Sequence, residues 1–202
     1  MKISIALATY NGEAYLGAQL DSFVAQTRLP DELIITDDQS TDATAAIVAA
    51  FAMCAPFPVT FEINTQRLGV MLNFDRALGL SGGDLVLLSD QDDVWFPGKI
   101  ESLERASAQH PGKGCFINDA LLTDGDLQPV GTTKMAQIEA SGLPATAMVQ
   151  GCCAAFRQDL LQCLLPIPLD QKSHDNWLVQ MADLLDQVVR LRTPLQYYRR
   201  HV

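Results

Sequence analysis

Asp90-Gln91-Asp92-Asp93 is the densest run of potential chemistry in the chain. Carboxylates this close repel one another, by roughly 4 kcal/mol for a pair ~4 Å apart at an effective dielectric of about 20, unless they reach water or share a cation. A divalent metal resolves the conflict. Magnesium and manganese take oxygen ligands and leave coordination positions for substrate phosphates. Asp90-Gln91-Asp92 therefore reads as a DxD grip on a metal and a diphosphate, whereas an isolated DxD is more often a solvated acidic turn.

Other candidates stand at the ends of apolar runs. Asp37 and Asp38 could accept hydrogen bonds from a nucleobase N–H or from ribose hydroxyls, although acids placed so are commonly caps. Tyr10 offers either a stacking platform for a base or simple packing. Asp175, within Ser173-His174-Asp175-Asn176-Trp177, opens a helix, where the dipole stabilises an acid. Within reach of an acceptor hydroxyl it would instead be a general base. Tyr197-Tyr198-Arg199-Arg200-His201 suits a diphosphate or a plain basic tail. The absence of a P-loop and of GxGxxG removes support from P-loop phosphoryl transfer and from ordinary dinucleotide binding.

These residues need elements to position them. Residues 85–88 are a continuous apolar run ending in the acids, as expected of a central parallel strand covered on both faces. Ligands of such sheets sit beyond the carboxyl ends of the strands. Residues 3–8, 33–36 and 59–63 predict further strands. Helices are predicted after Asn11, which is placed to cap the first, over 40–51, and over 70–80. This βα alternation specifies a largely parallel sheet with helices on both faces. A polar helix is expected over 98–109, and then the grammar changes. Residues 116–123 and 127–130 predict a hairpin, 131–144 a mobile loop over the site, 147–156 a strand, 159–165 and 175–185 helices, and 188–198 a closing strand.

Composition narrows the partners. The chain has 202 residues, 48% of them hydrophobic and 19% charged, enough for one globular domain with a substantial core. A net charge of −10 argues against a nucleic-acid backbone as partner. Five cysteines in no metal-binding spacing predict reduced, mostly buried thiols. The first residues read as a strand rather than a signal peptide, and no apolar window reaches membrane-spanning length, so a cytoplasmic protein is expected.

Taken together and in order, ATYNGEAYL, IITDDQSTDAT, NFDRAL, LLSDQDDVWFPGKI, SHDNW and YYRRH resemble the family 2 glycosyltransferases of GT-A fold, most closely their bacterial rhamnosyltransferase-like branch. The resemblance implies an α/β fold with a mostly parallel central sheet, flanking helices and a small antiparallel acceptor-side portion. It implies one domain over 1–202, with a nucleotide-sugar half at 1–110 and an acceptor-side half at 111–202. On matching positions, Thr9, Tyr10, Asn11, Glu13, Asp37, Asp38, Asp90 and Gln91 would bind the donor, Asp92 would ligate Mg or Mn, and Asp175 would be the catalytic base. Asp93, Trp95, Asn118, Asp119, Gly151, His174 and Trp177 would shape the acceptor side, with Arg199 and His201 on the diphosphate. The implied reaction is inverting transfer from a dTDP- or UDP-linked sugar to a glycan or lipid-linked saccharide in surface polysaccharide synthesis. A lipid-linked acceptor would bring the protein to the inner face of the plasma membrane as a peripheral visitor.

Two departures stand out. Members of this branch usually continue beyond YRRH, whereas this sequence stops at Val202, which reads as a truncated chain, a short family member or a degraded copy, and leaves open whether acceptor-binding elements are missing. Cys152 and Cys153 make the predicted strand softer than the pattern leads one to expect, as small packing residues would. Two other readings stay open. A sugar-nucleotidyltransferase would show a Gly- and Arg-rich phosphate loop that TYNGEAYL lacks; a catalytically silent domain would bind nucleotide without sugar transfer or donor hydrolysis.

Overall fold

Strand β1 (Ile3–Thr9) is buried at every residue because both its faces carry small or aliphatic side chains. It lies between β2 (Glu32–Asp37) and β4 (Leu85–Ser89), parallel to both, and β2 in turn pairs in parallel with β3 (Val59–Ile63). The computed structural model describes residues 1–200. Beyond β4 the sheet becomes mixed. Strand β8 (Ala154–Arg157) is antiparallel to β4 and to β6 (Cys115–Thr123), and β9 (Val188–Arg199) is parallel to β6. The short β5 (Val94–Trp95) closes that edge antiparallel to β9, and β7 (Pro129–Thr133) pairs with β6. The order is β3-β2-β1-β4-β8-β6-β9-β5.

Alternation along the strands splits the core into two layers, one on each face. Ile3, Ile5 and Leu7 of β1 join Leu85 and Leu87 of β4 in one; Ala6, Ala8, Val86 and Leu88 join the other. Helices α1 (Leu16–Val24) and α4 (Lys99–Gln109) cover the first layer, and α3 (Val70–Leu80), α6 (Gln158–Leu164) and α7 (His174–Leu184) the second. Each buried Leu, Ile, Val or Phe contributes about 1.5–3 kcal/mol. Helix α2 (Thr44–Ala52) packs its Val48 into the first layer, and both layers draw residues from before and after position 110. No helix of the described residues is long and apolar enough to cross a membrane.

Three expectations need correction. Residues 131–144 are not one loop: β7 ends there and α5 (Lys134–Ala140) follows, capped by the Thr133 hydroxyl, which accepts from Ala136 N. Residues 147–156 form a strand only from Ala154; ahead of it two 3-10 turns coil the chain around Gly151 and Cys152. Asn11 does not cap α1, whose N-cap position is Tyr15, with no side-chain capping bond there. Its side chain instead accepts from Thr41 N at 2.9 Å, pinning the β1 turn to the β2 turn.

Candidate active site

Register brings the carboxyl ends of the parallel strands to one edge, with Thr9 opposite Asp37 and Leu7 opposite Ser89. A cavity of about 540 Å³ opens there. Ala8, Thr9 and Tyr10 form one wall, Asp38 and Arg67 a second, Val70, Asn73 and Phe74 of α3 a third, and Asp90, Gln91 and Asp92 the fourth.

One end of the cavity is built around Tyr10 and Asp38. Tyr10 is 37% exposed, and the Arg67 guanidinium lies 3.7 Å from its ring centroid. Asp38 is buried and accepts from Leu68 N at 2.7 Å, Gly69 N at 2.9 Å and Asn64 Nδ2 at 3.0 Å. Burial alone would raise its carboxyl, but these bonds and the Arg67 charge hold it below the ordinary carboxylate range. Asp37 plays a different part. Its carboxylate accepts from Thr9 Oγ1 at 2.8 Å and from Ser40 N at 2.7 Å, so it braces the strand ends and does not line the cavity. Glu13 also faces away, accepting from Ala43 N at 2.8 Å.

At the other end, Asp90 and Asp92 face the cavity and Asp93 turns inward. Asp93 accepts from Gln196 Nε2 at 2.6 Å and from Arg199 N at 3.3 Å. Burial, reinforced by neighbouring charges, pushes Asp90 up to about 8 and Asp93 up to about 7. Asp93, Asp92 and Asp175 all act on Asp90, so Asp175 and the acidic turn share one electrostatic environment. Ligand atoms of Asp90, Asp93 and Cys152 lie within 4.8 Å of one another. This group is short of positive charge, and its carboxylates fit a hard divalent cation. Asp93 is thus engaged from inside, whereas Asp90 and Asp92 line the cavity.

Asp175 sits in the first turn of α7. One oxygen accepts from Asn176 N at 3.1 Å and from the Ser173 hydroxyl; the other accepts from Gly151 N at 3.4 Å. Next to it, the buried His174 stacks on Phe74 with centroids 4.0 Å apart, and neither ring nitrogen has a hydrogen-bond partner among the described residues. Gly151 must be glycine here: a Cβ would lie 2.8 Å from His174 Nε2 and 3.1 Å from Asp175 Cβ.

Several expected acceptor-side residues serve the scaffold instead. Trp95 is buried edge-on against Phe23, and Trp177 donates to the Leu164 carbonyl at 3.0 Å. Asn118 and Asp119 are buried in β6, where Asp119 accepts from Ala120 N and Met135 N. The Arg199 guanidinium donates to the Asp92 and Gly125 carbonyls and packs over Tyr15, away from the cavity lining. His201 lies outside the described residues. Sequence reading missed Arg67, a lone cation in a loop with no spacing signature. It also passed over Asn73 and Phe74 as site residues, although both stand in the NFDRAL segment that α3 presents to the cavity.

Comparison with known proteins bears on the family and the fold. Residues 4–165 match the family model described as glycosyl transferase family 2. An uncharacterized protein of Mycobacterium tuberculosis is 29% identical over 213 residues, covering 98% of this chain and 59% of the relative. The dTDP-rhamnosyl transferase RfbG of Shigella flexneri is 34% identical over 100 residues, 48% of this chain and 35% of that protein. The S. aureus TarS 1-349 structure in complex with UDP superposes with a TM-score of 0.80 at 20% identity, over 99% of this chain and 61% of that one; at that identity the likeness concerns the fold, which is GT-A.

Proposed function

We propose that this chain, which belongs to glycosyl transferase family 2, transfers a sugar from a nucleoside-diphosphate donor to an acceptor hydroxyl with inversion at the anomeric carbon. The observation that carries the reading is the single cavity in which Thr9, Tyr10 and Asp38 meet Asp90 and Asp92. A base fits against Tyr10 and Arg67, with Asp38 as an ionised acceptor at the buried end. Asp90 and Asp92 would hold a divalent metal, Mg or Mn, which when bound neutralises the departing diphosphate as a Lewis acid.

Asp175 is the proposed base. Its carboxylate removes the proton from the acceptor hydroxyl as that oxygen attacks the anomeric carbon from the face opposite the leaving group. The Gly151 N–H and the Ser173 hydroxyl fix the carboxylate's orientation before the acceptor arrives. Partial identity to a dTDP-rhamnosyl transferase supports a dTDP-linked deoxyhexose donor, with UDP-sugars the alternative suggested by the TarS likeness. The further reading is a role in surface polysaccharide synthesis on the cytoplasmic side of the membrane, supported by the partial identity to a dTDP-rhamnosyl transferase. Thermal melts against UDP, dTDP and GDP with and without Mn2+, on the native chain and Asp92→Ala, test the reading. Stabilisation of about 2.7 kcal/mol is expected at a hundredfold excess over Kd. Metal-dependent stabilisation lost in Asp92→Ala is the expected result, and no shift with any nucleotide overturns it.

A further inference from the structure

Lys99 is fully buried in the first turn of α4, an expensive place for an ammonium unless every donor is used. Its Nζ donates to the Cys152 carbonyl at 2.8 Å and to Gln196 Oε1, and it lies 4.0 Å from the Trp95 ring centroid. Gln196, equally buried in β9, passes the contact on: its Nε2 is the donor to Asp93. Arg199, three residues along the strand, bonds Asp93 through its N–H and the Asp92 carbonyl through Nε, at 2.8 Å. On the other side of Lys99, Cys152 follows Gly151, whose N–H reaches Asp175. One buried cation thus bonds a neighbour of each end of the proposed reaction centre without lining the cavity.

We propose that Lys99 is a positioning residue: through Gln196 and Asp93 it sets the Asp90–Asp92 turn, and through the Cys152 carbonyl it ties that turn to the Gly151–Asp175 contact. The inference rests on the donor-site reading above. A methionine of similar length would fill the same volume, so what Lys99 adds is charge and three directed donors. Charge and positioning predict opposite outcomes. Removing a cation beside Asp93 and Asp90 would by Coulomb's law tighten a divalent metal, whereas loosening the turn weakens it.

Isothermal titration of UDP, dTDP and GDP into the native chain, Lys99→Met and Gln196→Glu, each with Mn2+ and with EDTA, separates these outcomes. Gln196→Glu keeps an acceptor for Lys99, loses the donor to Asp93 and adds a carboxylate beside it, a charge that alone would tighten the metal, so a weaker Mn2+ gain decides for positioning even where Lys99→Met does not fold. For the nucleotide that the native chain binds, the affinity gained from Mn2+ is expected to fall about tenfold in both variants, with binding in EDTA within about threefold of native. An unchanged or larger Mn2+ gain overturns the inference and leaves the donor site standing. An equal loss in EDTA marks a merely structural role and also overturns it. A native chain that binds none of the three nucleotides under either condition overturns the donor-site reading and this inference together.

Discussion

The side-chain amide of Gln91 and the backbone of Tyr10 close a two-bond ring: Tyr10 N donates to Gln91 Oε1 at 2.9 Å, and Gln91 Nε2 donates to the Tyr10 carbonyl at 3.0 Å. The middle residue of the DxD thus copies a strand pairing and staples the end of β1 to the acidic turn after β4. Gly12 leaves room for it, since a Cβ there would meet Gln91 Oε1 at 2.4 Å.

Gln91→Glu keeps the acceptor and loses the donor. The Tyr10 carbonyl then faces a carboxylate, and a further charge joins the acidic turn. Nucleotide affinity in EDTA is expected to fall about tenfold, near the 1–3 kcal/mol of an unmade polar contact, as read by calorimetry.

Gly151→Ala forces His174 and Asp175 to give way by several tenths of an ångström. Transfer or donor hydrolysis is expected to drop by up to roughly a hundredfold, as misplaced catalytic groups do. Nucleotide binding should stay native, because Gly151 does not line the cavity. A parallel loss of nucleotide affinity would count against Asp175 as the base.

Asp90 and Asp93 give the metal-free protein a definite pH dependence. Their folded-state values stand above the unfolded ones, so the stability they contribute is fully present below about 4 and is lost as pH rises through about 7 to 8. Melting in EDTA should therefore weaken from pH 5.5 to pH 8.5, relative to an Asp90→Asn variant. Added Mn2+ competes with those protons and should stabilise more at pH 8.5 than at pH 5.5.

His174 works in the opposite sense. Burial depresses it below the usual histidine range, against a smaller opposing pull from Asp175. Its contribution is present above about 6.5 and is lost as pH falls through the lower folded value. His174→Phe keeps a ring on Phe74 and removes two unpartnered nitrogens, so a gain of about 1 kcal/mol and a flatter acid limb are expected in denaturant melts.

The first half of the fold was legible because its signals are local. Strands covered on both faces read as apolar runs, and α3 spans the predicted residues 70–80, ending where Ser81 turns extended. Residues 134–140 were not legible as a helix, since Met135 is their only buried side chain and its N–H is held by Asp119, sixteen residues earlier. The turns at Gly151 and Cys152 are likewise shaped by α7 lying against them, which apolar periodicity cannot report. The acids of the site could be listed from sequence. Which of them face the cavity depends on partners such as Gln196 and Leu68, set by pairing and loop path rather than by spacing.

Asp93 waits for its partners across 103 and 106 residues. During synthesis, β1 to β4 leave the ribosome with their parallel neighbours already made and Gln91 within reach of Tyr10, yet Asp93 has neither of these partners until β9 emerges. A nascent chain lacking β9 would carry Tyr10 and Asp38 in place but leave Asp93 without Gln196 and Arg199. The seating of Asp93 is therefore settled only once residues 196–199 have joined the sheet.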